Sequence, residues 1–351
     1  MRKRIVLIGS CPRVMAVSRL ACSALALLLS IPRIASQTAI PEKSSLEQEI
    51  QTAEIAIHAG RFAEAKQHFE QAERLGDHSA EINAGIGISE LQLGHYEASR
   101  QREAKVLELV SKDHERAEAH NLIGTAWLRE SAQGATNLVM LHAAEESFQR
   151  AIQLDPVFDA AYFNLGNALL RESREEDASV TFRNFLEAAA KNPAYEEGLP
   201  LASQAPAPAF ATMDSSGHAV SSEALRGRFV LLDFWATWCG PCVRALPAMR
   251  QLAHYFPSAE FTVISVNEDA PDQDVWRKFI AQQKMDWVQV WDKNAKIYQS
   301  FHLAPPADLS LPRYVLLDRN DAVLQVYDGL DRLGLVVGQI VRTVTVAPKA
   351  P

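Results

Sequence analysis

Two cysteines separated by two residues, Cys239 and Cys242, are the side chains of this sequence best placed to do chemistry. They follow an apolar run and open a helical pattern, a setting in which two thiols can form a disulfide with little backbone movement. The start of a helix carries partial positive charge and free N–H groups, which favour a thiolate on Cys239. Pro241 is tolerated in the first helical turn, where its missing N–H costs nothing. The spacing therefore predicts reversible thiol–disulfide chemistry.

Other uses of cysteine fit the sequence poorly. A structural zinc site would need two further ligands, and the sequence has no second C-x-x-C and no H-x-H. A structural disulfide this short would close too small a loop to stabilise much. A peroxidatic cysteine would need a Pro-x-x-x-Thr-x-x-Cys setting, whereas Thr237 is only two residues before Cys239.

The elements around the motif alternate between strands and helices. Three apolar runs predict buried strands, and two longer patterns between them predict helices. The strand runs are 229–235, 261–266 and 313–317, and the helical patterns are 243–255 and 274–284. This alternation predicts an α/β domain that places the C-x-x-C at a strand-to-helix turn.

The motif Trp235-Ala236-Thr237-Trp238-Cys239-Gly240-Pro241-Cys242, with Ala207–Phe210 and Leu225–Arg228 before it, resembles the thioredoxin-fold proteins of the TlpA/ResA type. The resemblance covers about residues 205–347. It implies a central mixed sheet flanked by helices, with Cys239 as the attacking thiolate and Cys242 as the resolving one. Proteins of this type are extracytoplasmic thiol–disulfide oxidoreductases of bacteria, and some serve cytochrome c maturation.

The resemblance also implies roles for residues around the cysteines. Pro312 stands where the family has a cis-proline, which would hold the backbone of Leu311 ready to pair with an extended substrate. Asp233 and Glu268 are alternative buried acids that could accept the proton of the inner thiol, and the sequence leaves both open. The insert 304–309 before Pro312 departs from the usual short turn. The expected walls of the site are Trp235, Trp238, Gly240 and Pro241.

The first half of the chain predicts a helical repeat. Gly60-Arg61-Phe62 and Gly94-His95-Tyr96 stand 34 residues apart, and a small residue precedes an aromatic by four positions in three units. These pairs are Ala65/Phe69, Ala144/Phe148 and Ala178/Phe182. The pattern resembles the tetratricopeptide repeat (TPR) over residues 46–192, with four units in an all-α solenoid. The solenoid could be a spacer or a groove that binds a protein or peptide.

Two units depart from this pattern. Glu103 stands where the second unit would have its aromatic residue. The distance from Gly124 to Gly166 is 42 residues, which predicts an insertion of about eight residues near 131–141.

The rest of the chain predicts an exported protein with a linker between its halves. A basic start and an apolar run over 21–31 predict a signal peptide at residues 1–36, with an uncleaved, membrane-associated N-terminus as the alternative. Residues 193–204 predict a linker, and the overlapping stretch 198–208, rich in Pro, Ala and Ser, predicts two halves without a large shared core. The signal predicts an extracytoplasmic location, in a bacterial periplasm.

We therefore expect an exported thiol–disulfide oxidoreductase that reduces protein disulfides, with repeats that recruit partners. The expected partners are a disulfide-bearing client, an upstream thiol donor protein and a protein or peptide in the TPR groove. No cofactor beyond the redox-active disulfide is expected, and a net charge of −8 argues against nucleic-acid binding. The alternative is an interaction scaffold whose redox domain senses or clamps a client without turnover.

Overall fold

The structure is a computed structural model that describes residues 45–133, 137–195, 206–269, 273–301 and 310–346. The predicted signal peptide and the insert 304–309 lie outside these ranges, as does the linker after Tyr195. Within the described ranges, no helix combines the length and apolar character needed to cross a bilayer.

Eight helices form the described part of the N-terminal half, and each packs mainly against its neighbours in sequence, so that they make four antiparallel hairpins. The helices are α1 (Ser45–His58), α2 (Phe62–Arg74), α3 (Ala80–Gln92), α4 (Tyr96–Leu109), α5 (Asp113–Glu130), α6 (Leu138–Leu154), α7 (Asp159–Arg171) and α8 (Glu175–Lys191). This arrangement agrees with the four helical units predicted from the sequence.

Glycines let the two helices of a hairpin approach closely. A Cβ atom at Gly124 would lie 2.7 Å from the ring of Phe148, and one at Gly166 would lie 2.7 Å from the ring of Phe182. Both phenylalanines are fully buried. In the second hairpin, the carboxylate of Glu103 takes the equivalent place against Gly87. Glu103 therefore fills the place in its hairpin that an aromatic residue fills in the third and fourth hairpins.

The third hairpin carries the extra residues. Seven residues, 131–137, separate α5 from α6, whereas three residues separate the helices of each other hairpin. Helix α5 is also the longest of the described helices, at 18 residues, whereas α6 has the same 17 residues as α8. The predicted insertion therefore corresponds to a longer α5–α6 connection and a longer α5.

The C-terminal half contains a five-stranded mixed sheet in the order β5-β4-β3-β6-β7 and a separate two-stranded hairpin. Strand β3 pairs in parallel with β4 and antiparallel with β6. The hairpin strands are β1 (Ala211–Met213) and β2 (Ala219–Ser221), and the sheet strands are β3 (Phe229–Trp235), β4 (Phe261–Asn267), β5 (Val288–Trp291), β6 (Arg313–Leu317) and β7 (Val323–Asp328). This is the mixed sheet implied by the resemblance.

Helices cover both faces of this sheet. Alternate residues of β3, beginning with Phe229 and Leu231, pack with α9 (Gly240–Ala253) and α12 (Leu333–Val346). The intervening residues face the opposite side, where α11 (Lys296–Ser300) packs. Helix α10 (Gln273–Gln282) contributes Trp276 and Ile280 to a third apolar cluster that includes both cysteines.

The two halves share a core, which contradicts the expectation of separate halves. Phe185 and Ala189 of α8 belong to the same buried cluster as Val337 and Ile340 of α12. The Arg342 guanidinium donates to the carbonyls of Ala190 and Asn192 at 3.3 Å. The prediction rested on the composition of the linker, whereas α12 is apolar around most of its circumference and needs α8 to cover it.

The first three residues of the predicted linker are ordered within this junction. Pro193–Tyr195 forms a short 3₁₀ helix, and Tyr195 is buried with its hydroxyl donating to Asp159 at 3.1 Å. Burial raises the pKa of Asp159 to about 6.

Candidate active site

The two cysteines form a disulfide at the junction of β3 and α9. Cys239 is the N-cap residue of α9 and Cys242 lies in its first turn, with the Cys242 N–H donating to the Cys239 Sγ at 3.2 Å. Pro241 occupies the first turn, as predicted. Both cysteines are buried, Cys239 at 5% exposure and Cys242 at 2%. A partner must therefore dock closely to reach the Cys239 sulfur.

An apolar cluster surrounds the disulfide. Trp235, Leu246 and Trp276 are buried with the cysteines in it, and Leu311 packs at its edge. Of the two tryptophans expected to form walls, Trp235 is fully buried, whereas Trp238 leaves 63% of its surface exposed. Trp238 is therefore placed to meet a docked protein rather than to enclose the disulfide.

The peptide bond between Leu311 and Pro312 is cis, as the resemblance implied. The Pro312 carbonyl accepts a hydrogen bond from the Gly329 N–H at 2.9 Å, which ties the residue to the end of β7. Leu311 contacts the cluster that contains the cysteines. The structure thus brings the segment before β6 to the disulfide.

Asp233 is a fully buried acid on the central strand. Its Oδ2 accepts a hydrogen bond from the Ser265 hydroxyl at 2.9 Å, and the Trp287 indole donates to the same hydroxyl at 2.9 Å. Burial raises the pKa of Asp233 to about 7, although the Ser265 hydrogen bond opposes the shift. The carboxyl group can therefore gain or lose a proton near neutral pH.

Asp233 lies in a row of buried polar residues that crosses the sheet. The strand register pairs it with Tyr314 of β6 and Ser265 of β4, and Ser265 pairs with Gln289 of β5. Within the described residues, the Tyr314 hydroxyl and the Gln289 amide have no hydrogen-bond partner. Burial and the Asp233 charge raise the pKa of Tyr314 well above its usual value. Apart from Asp233, the members of this row were not identified from sequence, because the alignment of Ser265, Gln289 and Tyr314 with Asp233 depends on the strand register.

Glu268 follows β4 directly and is also buried. Its N–H donates to the Trp235 carbonyl at 2.8 Å, and its buried carboxyl group interacts with the carboxyl group of Asp292. Burial raises the pKa of Glu268 to about 9, and the charges of Asp292 and Asp269 add to the shift. Glu268 therefore carries a proton at neutral pH.

Two further acids position the loops of the site and were not identified from sequence. Asp269 accepts from the Thr237 N–H at 3.0 Å, which fastens the motif loop to the end of β4. Asp292 accepts from the N–H groups of Ile297 and Tyr298 at 3.0 and 2.9 Å, which anchors the start of α11. Burial raises the pKa of Asp292. Neither residue has a sequence pattern that distinguishes it from a solvated loop acid.

The site can support exchange of electrons between dithiol and disulfide. It combines a buried cystine at a helix start with two carboxyl groups whose pKa values lie far above those of exposed acids. No group of three or more His, Cys, Asp or Glu side chains that could hold a metal occurs in the described part of the chain.

Fold and site together define a thioredoxin-like thiol–disulfide oxidoreductase. Residues 204–326 match the model of the AhpC/TSA family. Over 123 residues, the chain is 31% identical to the thiol-disulfide oxidoreductase ResA of Geobacillus kaustophilus, covering 35% of this chain and 67% of that protein. The chain belongs to this family of ResA-type thiol–disulfide oxidoreductases.

Other relatives carry similar names. The chain is 28% identical over 123 residues to ResA of Bacillus thuringiensis, covering 35% of this chain and 68% of that protein. A solved thiol:disulfide interchange protein from Bacteroides sp. is 25% identical, with a TM-score of 0.36, over 42% of this chain and 94% of the other. These matches cover about two fifths of the chain or less, so that most of its length lies outside them.

Proposed function

We propose that this protein reduces disulfides of extracytoplasmic client proteins. The Cys239 thiolate attacks one client sulfur, a mixed disulfide forms, and the other client sulfur leaves as a thiolate. Cys242 then attacks the Cys239 sulfur, which releases the second client thiol and restores the Cys239–Cys242 disulfide. The position of Cys239 as the N-cap of α9 carries this assignment, because the helix start favours its thiolate. A thiol donor protein must reduce the enzyme again, and no cofactor takes part.

The residues between the cysteines support the proposed reducing direction. Gly240 and Pro241 give the sequence of reducing thioredoxins, whose potentials lie near about −270 mV, rather than that of strong oxidants near about −120 mV. The alternative function, a scaffold that clamps a client, uses the same first attack. Turnover distinguishes the two, since a reductase with excess reductant processes many disulfides per molecule and a clamp stops after one.

Asp233 is the proposed proton acceptor for the Cys242 thiol. With a pKa of about 7, a large part of its population is ionised at neutral pH and can take up the proton. Glu268, with a pKa of about 9, is mostly protonated under the same conditions. Glu268 is therefore better suited to donating a proton to the departing client thiolate.

The helical half is proposed to be a TPR domain that recruits partners. The four hairpins, with a buried aromatic or Glu103 against a glycine in the last three, support this assignment. The predicted signal peptide at residues 1–36 supports a proposed location outside the cytoplasm, in a bacterial periplasm. The resemblance to the TlpA/ResA type makes cytochrome c maturation a candidate pathway.

Two cysteine variants test the order of attack. Cys242→Ser should accumulate a mixed disulfide with its client, because attack proceeds and resolution fails. Cys239→Ser should form no such adduct and should lose disulfide reduction. Non-reducing electrophoresis and mass spectrometry of the trapped species give the readout. Adduct from Cys239→Ser alone would reverse the assigned order.

A further inference from the structure

A cleft of about 970 Å³ separates the helical half from the redox helix. Residues of α5, α7 and α8 form one wall, and residues of α9 and the end of α10 form the other. Phe163, Asn164 and Phe182 lie among the lining residues of the helical wall. Because the shared core fixes α8 against α9 and α12, this cleft is a built part of the molecule.

Three arginines from both walls face this interdomain cleft. Arg129 and Arg171 come from the helical half, and Arg244 comes from the redox helix α9. Arg129 donates to the Gln92 amide at 3.0 Å and Arg171 donates to the Leu128 carbonyl at 2.5 Å, both neutral acceptors. None of the three forms an ion pair with a carboxylate of the described residues.

These arginines repel one another across the cleft. Burial lowers the pKa of Arg129 and of Arg171, and the charge of Arg244 lowers each further. Glu175 is the acidic residue that lines the described walls, and Arg250 and Lys284 add two more cationic side chains. The cleft therefore has an excess of positive charge, which an anionic occupant would relieve.

Arg244 connects the cleft to the redox motif. Its Nη1 lies 3.6 Å from where a Cβ atom of Gly240 would stand, so the guanidinium reaches the residue next to Cys239. Along α9, Gln251 is twelve residues from Cys239, which corresponds to about 18 Å of helix. An extended chain covers that length in about five or six residues. A segment in the cleft can thus be continuous with a disulfide presented to Cys239.

We propose that the interdomain cleft binds an acidic, extended segment of the client protein, within about six residues of the client cysteine that Cys239 attacks. This proposal rests on the proposed function, since it names the chemistry of the protein that the redox site serves. Carboxylates on that segment would pair with Arg129 and Arg171 on one wall and with Arg244 on the other. Recognition and electron transfer would then share one composite surface made by both halves.

Binding of peptides without cysteine tests the proposal apart from redox activity. Two fluorescein-labelled peptides of equal length are compared, one with four Glu beside a serine and one with four Gln at the same positions. We expect the full chain to bind the Glu peptide at least about tenfold more tightly, as charge-assisted contacts would give. The preference should shrink at high salt, since the charges are accessible to ions.

Variants of the three arginines test whether the preference for the Glu peptide arises in the cleft. The double variant Arg129→Gln/Arg171→Gln and the single variant Arg244→Gln should each lower the Glu-to-Gln affinity ratio several-fold. The control Arg150→Gln removes one positive charge, as Arg244→Gln does, but from an exposed site on α6 outside the cleft, and it should leave the ratio unchanged. If the double variant misfolds, Arg244→Gln decides, because no described backbone carbonyl depends on that side chain.

Distinct results separate this proposal from the proposed function. Equal affinity for the two peptides would contradict the proposal that the cleft binds an acidic segment. A loss of preference in Arg150→Gln as large as that in Arg244→Gln would contradict it as well. Reduction of the neutral disulfide 4,4′-dithiodipyridine by the full chain is measured separately. Failure of that reaction would contradict the proposed reductase activity. The peptide affinities would still show whether the cleft binds an acidic segment.

Discussion

At the scale of single residues, two buried carboxyl groups set the pH behaviour of the site. Asp233 is held by Ser265 within the polar row of the sheet, whereas Glu268 lies beside the acids Asp292 and Asp269. Their pKa values of about 7 and about 9 give them different protonation states at neutral pH. Substituting each one separately can therefore show which acid takes part in the chemistry.

Asp233→Asn should slow release of the client from the mixed disulfide far more than formation of that disulfide. A positioned base contributes about 100-fold or more, so a loss of about that size is expected. In the wild type, the release rate should rise through about pH 7 as Asp233 ionises. Stopped-flow measurement of release against pH checks this, with Glu268→Gln as the comparison. If neither variant alters release, the carboxylate mechanism fails.

The same acids should affect stability in different pH windows. Because the folded pKa of Asp233 is raised from 3.8 to about 7, the folded state binds its proton more tightly than the unfolded state. The contribution of Asp233 to stability is greatest below about pH 3.8 and falls as the pH rises towards about 7, by up to roughly 4 kcal/mol. The Tm of Asp233→Asn should therefore exceed that of the wild type by an amount that increases between about pH 3.8 and about pH 7, up to the folded-state pKa.

Glu268→Gln provides the matched comparison. The pKa of Glu268 is raised from 4.5 to about 9, so its Tm advantage should keep growing to about pH 9. Thermal melts of the oxidised proteins at pH 4, 7 and 9 measure both. If the Tm difference between a variant and the wild type is constant with pH, the pKa of the substituted acid is not raised by burial as we expect.

At the scale of elements, the continuous apolar runs in the sequence were enough to predict where the central strands lie. The predicted runs 229–235 and 313–317 coincide with β3 and β6, and 261–266 lies within β4. These strands are buried on both faces, so they have continuous apolar sequences. Strands β5 and β7 were not predicted, because β5 has only four residues and four of the six β7 residues are partly or largely exposed.

The glycine–aromatic contacts of the hairpins give an element-scale prediction. Gly124→Ala places a methyl group against the Phe148 ring, so it should destabilise the helical half by about 1–3 kcal/mol. Denaturant unfolding measures this cost. In a Phe148→Leu background the same substitution should cost less, because the smaller side chain leaves room. Additive costs would mean that the ring and the glycine do not interact.

At the scale of the whole molecule, the large buried surface of α12 explains why the two halves pack together. The linker composition suggested separation, but nine residues of α12 are buried, and burial on that scale requires both the sheet and α8. The contacts between α8 and α12 connect residues about 150 positions apart, as Arg342 with Ala190 shows. Such pairing cannot be deduced from the local pattern of either helix. The interdomain cleft, which exists only because of this junction, was unpredictable for the same reason.

The junction predicts that the full chain unfolds in one cooperative transition. Gly338 packs directly on the backbone of Ala189, where a Cβ atom would lie 2.9 Å from the Ala189 carbonyl carbon. Gly338→Val should therefore separate the halves and split the calorimetric transition in two. Thr345→Val introduces the same side chain at an exposed position of the same helix and should leave one transition. Two transitions in the wild type would show that the shared core does not couple the halves. A split in Thr345→Val would show that a valine on α12 has this effect without contact at the junction.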